Sequence, residues 1–219
     1  MTDELSAGMR RLPVYLLLDC SYSMQGEPIN ALRTGLSALL SDLQADPQAL
    51  ETVWLSVITF HSTATQLVPL TPIDQFQEPD LQLQGATSLG AGITMLMDCI
   101  ESEIRKTTAD QKGDYKPMIY LMTDGMPTDS WQGPANELKR RRPGNVIACA
   151  AGPGADDSVL KQITEIVIRI ETVTTGSMGA FLDWVTASIK TTSASVSAQG
   201  DAPVNLPALP QDQGIVIVP

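Results

Sequence analysis

The sequence contains little histidine, cysteine or positive charge, and each shortage excludes a class of protein. One histidine (His61) and three widely spaced cysteines (Cys20, Cys99 and Cys149) stand among 219 residues, which excludes histidine-rich metal sites and cysteine-paired zinc sites. Lysine and arginine number 14 against 25 acidic residues, a net charge of −11, so we expect no nucleic-acid partner.

Long apolar runs are also missing. No run approaches the roughly 20 residues that cross a bilayer, so we expect no membrane span. The first eleven residues contain no apolar segment of the kind found in secretion signals. We therefore expect a cytoplasmic protein whose cysteines remain reduced and inert.

Short apolar runs alternate with longer amphipathic stretches, which predicts a doubly wound, mostly parallel α/β sheet with helices on both faces. Pro69 and Pro72 close a predicted short antiparallel edge strand over 64–68, and Thr71 with Pro72 is typical of the start of a helical turn. The other strands are predicted at 13–18, 53–60, 118–122, 146–150 and 168–173, and the helices at 28–43, 93–104, 131–142, 156–166 and 178–189.

The composition divides the chain into three parts. Residues 1–11 form an N-terminal segment, 12–190 a single domain, and 191–219 a Ser/Thr/Pro-rich tail. The stretches 191–199 and 202–210 have the composition of a linker. The β-prone end from Gly214 to Pro219 is either a frayed terminus or a strand that adds to an exposed sheet edge, in this chain or a neighbour.

Small oxygen-bearing residues cluster in three places. Asp19, Ser21 and Ser23 follow the first strand, Thr87 lies in a Gly-rich stretch, and Asp124 follows the strand at 118–122. Taken singly, each cluster is also compatible with a turn or a helix cap. Because ligands bind beyond the carboxyl ends of parallel strands, we expect the clusters to converge. Hydroxyl and carboxylate oxygens suit Mg²⁺, the expected ion, or Mn²⁺ or Ca²⁺, with one open position that could take a carboxylate.

Together, Asp19-x-Ser21-x-Ser23, Thr87 and Thr123-Asp124-Gly125 resemble the metal-ion-dependent adhesion site of the von Willebrand factor A domain family, over about Leu12 to Ile189. The resemblance implies that Ser21 and Ser23 ligate the metal and that Thr87 binds it directly or through water. It implies that the two aspartates ligate the ion or hold its waters. The family's open metal position accepts an acidic side chain from a protein partner.

The segments 11–19, 51–60 and 106–114 are similar to one bacterial branch of that family, the TerY-like proteins associated with tellurite resistance. This resemblance implies a cytoplasmic, non-catalytic interaction module in a stress-response assembly. Its implied partners are a PP2C-like phosphatase and a protein kinase.

Two alternatives remain open. A haloacid-dehalogenase-type phosphatase also places an aspartate after its first strand beside Mg²⁺. It needs a second aspartate as general acid, however, and that position here is Ser21, which cannot protonate a leaving group. The other alternative is a structural scaffold with a vestigial metal site, because Tyr22 stands where the family usually has glycine.

Overall fold

The computed structural model describes residues 10–199, 206–210 and 213–219. The predicted segment 1–11 therefore lies almost wholly outside the described residues, as do 200–205 and 211–212 of the predicted tail. The strands are β1 (Leu12–Asp19), β2 (Val53–Phe60), β3 (Ala64–Pro72), β4 (Met118–Thr123), β5 (Asn145–Ala151), β6 (Ile166–Ile170) and β7 (Ile215–Ile217). The helices are α1 (Glu27–Gln44), α2 (Pro47–Thr52), α3 (Leu89–Glu103), α4 (Gln132–Arg141), α5 (Asp157–Ile163) and α6 (Thr175–Gln199).

The predicted α/β class is confirmed. One sheet has the order β3-β2-β1-β4-β5-β6-β7, and its five central strands are parallel. Alternate residues of β1 enter two separate cores. Leu16 packs in the core shared with α1 and α6, whereas Leu17 packs in the core shared with α3, α4 and α5. Burial on both faces explains why β1 is continuously apolar.

The predicted edge strand exists, but its end is wrong. β3 pairs antiparallel with β2 and continues past Pro69 to Pro72. At the sheet edge a proline leaves no ladder hydrogen bond unmade on the solvent side. Thr71 is therefore a strand residue and not a helix cap, and its hydroxyl donates to the carbonyl of Pro69. The helical turn begins two residues later, at Ile73.

The predicted linker over 191–199 is wrong, because α6 continues to Gln199. Hydroxyls in this stretch donate to carbonyls one turn earlier, as Thr192 does to Ser188. The Ser193 hydroxyl lies 2.7 Å from that of Thr52, and Val196 is buried. Small hydroxyl residues thus satisfy their own polar groups and allow close packing, which a composition rule for linkers does not consider. The predicted end of α5 at 166 is three residues too late, and the predicted start of β6 at 168 is two residues too late.

The β-prone end of the chain pairs within its own sheet. β7 lies antiparallel to β6 at the edge, so the structure has a second antiparallel strand besides β3. The segment before it is held by Trp184, whose indole N–H donates to the carbonyl of Pro207. Of the two interpretations of the terminus, the structure therefore supports strand addition in this chain.

None of the helices within the described residues is both long enough and apolar enough to cross a membrane.

The packing of the end of α6 gives the first prediction. Changing Val196 to Asp places a charge in the core and should lower the free energy of unfolding by about 3 kcal/mol or more. Ala194→Asp introduces the same side chain two residues earlier, where α6 is exposed, and should lower it by only about 1 kcal/mol or less, the helix-propensity cost of aspartate. Urea unfolding measures both; equal effects would show that the end of α6 does not pack.

Candidate metal site

The pairing of β1 with β4 brings the two predicted aspartate loops together. Leu18 is in register with Met122, so both strands end at the same level. The Thr123 hydroxyl donates to Asp19 Oδ2 at 2.6 Å, and the Ser21 backbone N–H donates to Asp19 Oδ1 at 2.9 Å. Asp19 is wholly buried and is fixed by residues of both loops.

A chain of hydroxyls joins the remaining predicted residues. The Thr87 hydroxyl donates to Ser21 Oγ at 3.1 Å, Ser21 Oγ lies 2.8 Å from Ser23 Oγ, and the Ser23 hydroxyl donates to Asp124 Oδ1 at 2.6 Å. The structure therefore brings together all five predicted side chains, although Thr87 and Asp124 are far from Asp19 in sequence.

Backbone hydrogen bonds hold the Thr87 loop against the end of β1. The N–H of Gln84 donates to the carbonyl of Cys20, and the N–H of Tyr22 donates to that of Gly85. From the β4 side, the N–H of Thr128 donates to the Thr87 carbonyl at 2.9 Å. Thr87 is thus positioned by both neighbouring loops.

Sequence reasoning missed Asp129. Its two carboxylate oxygens accept from the N–H groups of Gly90 and Ala91, each at 3.0 Å. These N–H groups belong to the first turn of α3, so Asp129 caps that helix and ties it to the loop after β4. The signal available was an acidic residue close after Thr123-Asp124-Gly125, but it did not show which helix it would reach.

The electrostatics of the site fit a cation. Burial raises the pKa of Asp19 to about 6 and also raises the pKa of Asp124. Neither carboxylate forms an ion pair with a lysine or arginine of the described chain. Two desolvated carboxylates beside three hydroxyls form a hard-oxygen donor set that a divalent cation would neutralise. Among the described residues no group of three or more His, Cys, Asp or Glu forms a competing metal site.

The space between the donors depends on Gly125. A Cβ atom on this residue would lie 3.2 Å from Thr87 Oγ1 and 3.4 Å from Ser23 Oγ. The first distance is tighter than an ordinary Cβ contact, so a side chain at this position would press on the Thr87 hydroxyl. A glycine therefore keeps this side of the donor set open.

Three side chains near the site take no part in the donor set. The Tyr22 ring is 61% exposed, so it is not packed among the five donors. Cys20 is buried, and burial raises the pKa of its thiol to about 12, consistent with an inert cysteine. Trp131 is buried as a core residue.

Two of the three comparisons with known proteins find matches. The family model of the von Willebrand factor type A domain matches residues 14–175. No curated protein matches the chain.

Solved structures give the same fold at low identity. Proximal thread matrix protein 1 from the mussel byssus, with a zinc-occupied MIDAS motif, is 19% identical with a TM-score of 0.61; 84% of this chain and 48% of that chain are covered. The ArnB paralog VWA2 from Sulfolobus acidocaldarius is 19% identical with a TM-score of 0.59, covering 83% and 46%. The pilus adhesin SpaC from Lactobacillus rhamnosus GG in its open conformation is 18% identical with a TM-score of 0.64, covering 83% and 30%. The chain thus spans half or less of the length of these three proteins.

The buried carboxylate predicts a pH effect in the metal-free protein. Because the pKa of Asp19 is about 6 when folded against 3.8 as its ordinary value, the folded state takes up the proton first as pH falls. In EDTA, wild-type stability relative to Asp19→Asn should therefore rise by about 2 kcal/mol between pH 7.5 and pH 4. Urea unfolding at several pH values measures the difference, and parallel curves would contradict it.

The space beside Gly125 predicts the effect of filling it. Gly125→Val should weaken Mg²⁺ binding by about tenfold or more, because the new methyl groups displace the Thr87 and Ser23 hydroxyls. Met126→Val places the same side chain at the next residue, which is 62% exposed, and should leave the affinity unchanged. Calorimetric titration with Mg²⁺ measures both, and equal affinities would show that the ion does not use this space.

Proposed function

Because the chain belongs to the von Willebrand factor type A domain family, we propose that it is a non-catalytic, divalent-metal-dependent protein-interaction module. Its metal site consists of Asp19, Ser21, Ser23, Thr87 and Asp124. The observation that carries this proposal is the continuous hydrogen-bonded chain that joins these side chains around two carboxylates.

Each residue has a role that its position supports. Ser21 and Ser23 ligate the ion through their hydroxyls, and Thr87 binds it directly or through water. Asp19 and Asp124 supply the negative charge, either as ligands or by holding coordinated waters. Mg²⁺ is the proposed ion because every donor is a hard oxygen, and Mn²⁺ and Ca²⁺ share this preference.

The partner chemistry follows from an open metal position. A partner's acidic side chain would complete the coordination. The exposed Tyr22 and Met126 flank the site in sequence and offer apolar contact area. A cavity of about 500 Å³ is lined by both Ser23 and Asp124 of the site and also by Glu171. The exposed Glu171 carboxylate favours a partner with a basic residue near its metal-binding acid.

The cellular setting is proposed from the resemblance to the TerY-like branch. It places the module in the cytoplasm, within a tellurite-resistance and stress-response assembly. The proposed partners are a PP2C-like phosphatase and a protein kinase. The segments 11–19, 51–60 and 106–114 support this assignment.

The residue at the general-acid position of the alternative phosphatase supports a non-catalytic role. Ser21 occupies the position where a haloacid-dehalogenase-type phosphatase needs an acid. His61 follows β2 and is turned to its own loop, where its Nδ1 accepts from the N–H of Thr63 at 3.3 Å. The Cys20 thiol is buried with a raised pKa and is a poor nucleophile.

The function is tested by metal-dependent binding. We expect purified PP2C-like phosphatase or kinase to bind the immobilised chain in Mg²⁺ and to dissociate in EDTA, measured by biolayer interferometry. Asp19→Asn should lower the affinity at least about tenfold, because it removes one of the two charges that hold the ion. Asp42→Asn makes the same change on the exposed side of α1 and should have no effect.

Two outcomes contradict different parts of the proposal. Binding that survives both EDTA and Asp19→Asn would contradict metal dependence. Mg²⁺ binding by calorimetry without binding of either protein would contradict the proposed partners and leave the metal site intact.

A further inference from the structure

A second cavity lies at the end of the sheet where the parallel strands begin, whereas the metal site lies at the end where they stop. It is formed where β4, β5 and β6 begin and where α4 and α5 end, and its volume is about 230 Å³. The metal site lies where β1 and β4 end. β4 has six residues and therefore separates the two ends by about 17 Å.

Three cations line this cavity, namely Lys116, Lys139 and Arg142. All three residues are exposed, and none forms an ion pair or side-chain hydrogen bond with another part of the described chain. Glu165 is the one carboxylate among the lining residues. In a chain with a net charge of −11, a local excess of positive charge is unusual and favours an anionic ligand.

The neighbouring arginines differ from the cavity cations, because they are paired with a carboxylate. Lys139 to Arg142 form a continuous basic run at the end of α4. Arg140 and Arg141 are paired with Glu137, each with a shortest N–O distance of 2.6 Å, and neither lines the cavity. The two cations of the run that line the cavity are the two that lack a partner, so pairing along the helix does not account for them.

The backbone of Arg142 adds a second observation. Its φ is 47° and its ψ 51°, and it is the one non-glycine residue with positive φ in the described part of the chain. Glycine is the usual residue at this helix-end position, and a side chain here costs about 1 kcal/mol. The following Pro143 disfavours helical conformations of Arg142 further. An arginine at this strained position is consistent with a use for its side chain.

The floor of the cavity is apolar. Leu138 and Ile163 are buried in the core beneath it, and Val146 and Ile166 are half-buried at its wall. A ligand that matches the whole cavity therefore carries an apolar side chain between carboxylates. This arrangement fits a short acidic protein segment better than a nucleic acid, whose long charged backbone the acidic chain would repel.

We propose that the cavity lined by Lys116, Lys139 and Arg142 binds an acidic segment of a protein partner, with carboxylates on the three cations and an apolar side chain against Val146 and Ile166, above Leu138 and Ile163. This site is independent of the metal site. It gives the chain a second contact surface at the end of the sheet where the parallel strands begin.

The test uses a fluorescein-labelled peptide of alternating glutamate and leucine, measured by fluorescence anisotropy. EDTA is present, so that no metal-bound carboxylate contributes. Lys139→Gln with Arg142→Gln should weaken binding about fivefold. Arg140→Gln with Arg141→Gln removes the same charge from the same run outside the cavity and should change the affinity by less than about twofold.

Two further measurements separate the contributions of charge, of the apolar floor of the cavity and of protein stability. A peptide of alternating glutamate and serine should bind more weakly, because it has no apolar side chain for the floor. Arg142→Gly removes the charge while relieving the left-handed backbone, so it should weaken binding with no loss of thermal stability.

Three results would overturn the proposal. Equal weakening by the two double variants would assign the binding to general charge. Equal affinity for the two peptides would remove the role of the apolar floor. Tighter binding of an oligothymidylate of the same charge would show that the cavity does not select acidic protein segments.

Discussion

The constraint on which the site depends is the parallel pairing of β1 with β4. These strands are distant in sequence, and their register places Leu18 opposite Met122. The next residues on each strand, Asp19 and Thr123, are then close enough for the 2.6 Å hydrogen bond between their side chains. Without this neighbour, Asp19 would be a buried carboxylate with one backbone donor, at a cost of several kcal/mol. The connection from β3 through α3 to β4 therefore lowers the energetic cost of burying Asp19, because it places β4 and Thr123 beside β1.

The same pairing of strands buries two carboxylates at an energetic cost, and this cost favours the binding of a cation. Burial raises the pKa of both Asp19 and Asp124, which means that their ionised forms destabilise the metal-free fold at neutral pH. The hydroxyls of Thr123 and Ser23 offset this cost only in part. A site that is unfavourable when empty gains more on binding a cation than a solvated pair would, because the ion removes an existing penalty. The stability and the proposed function thus depend on the same two carboxylates in opposite ways.

Sequence patterns predicted the structure correctly where the local hydrophobic pattern and the overall sheet topology agreed. The apolar run of β1 and the period-3.6 spacing of α1 predict a layered sheet, and the clusters after β1 and β4 predict convergence because parallel strands end at one edge. They failed where tertiary packing decides the outcome. Helix α6 continues through 191–199 because the hydroxyls of Thr192 and Ser195 bond to their own helix and Ser193 packs beside Thr52. Composition contains no information about that neighbour. Asp129 was missed for the same reason, since its partners at Gly90 and Ala91 belong to a helix some forty residues earlier.

The two ends of the parallel strands would both bind a carboxylate, but through different electrostatic interactions. At the metal end, a carboxylate would enter the coordination sphere of an ion held by buried Asp19, where the field is strong and little screened by salt. At the opposite end, Lys116, Lys139 and Arg142 are exposed, so their attraction to a carboxylate is weak and decreases steeply with ionic strength. On these proposals a divalent ion would control one contact, and ionic strength would control the other. A protein with both surfaces could join two acidic partners whose binding responds to different changes in the surrounding solution.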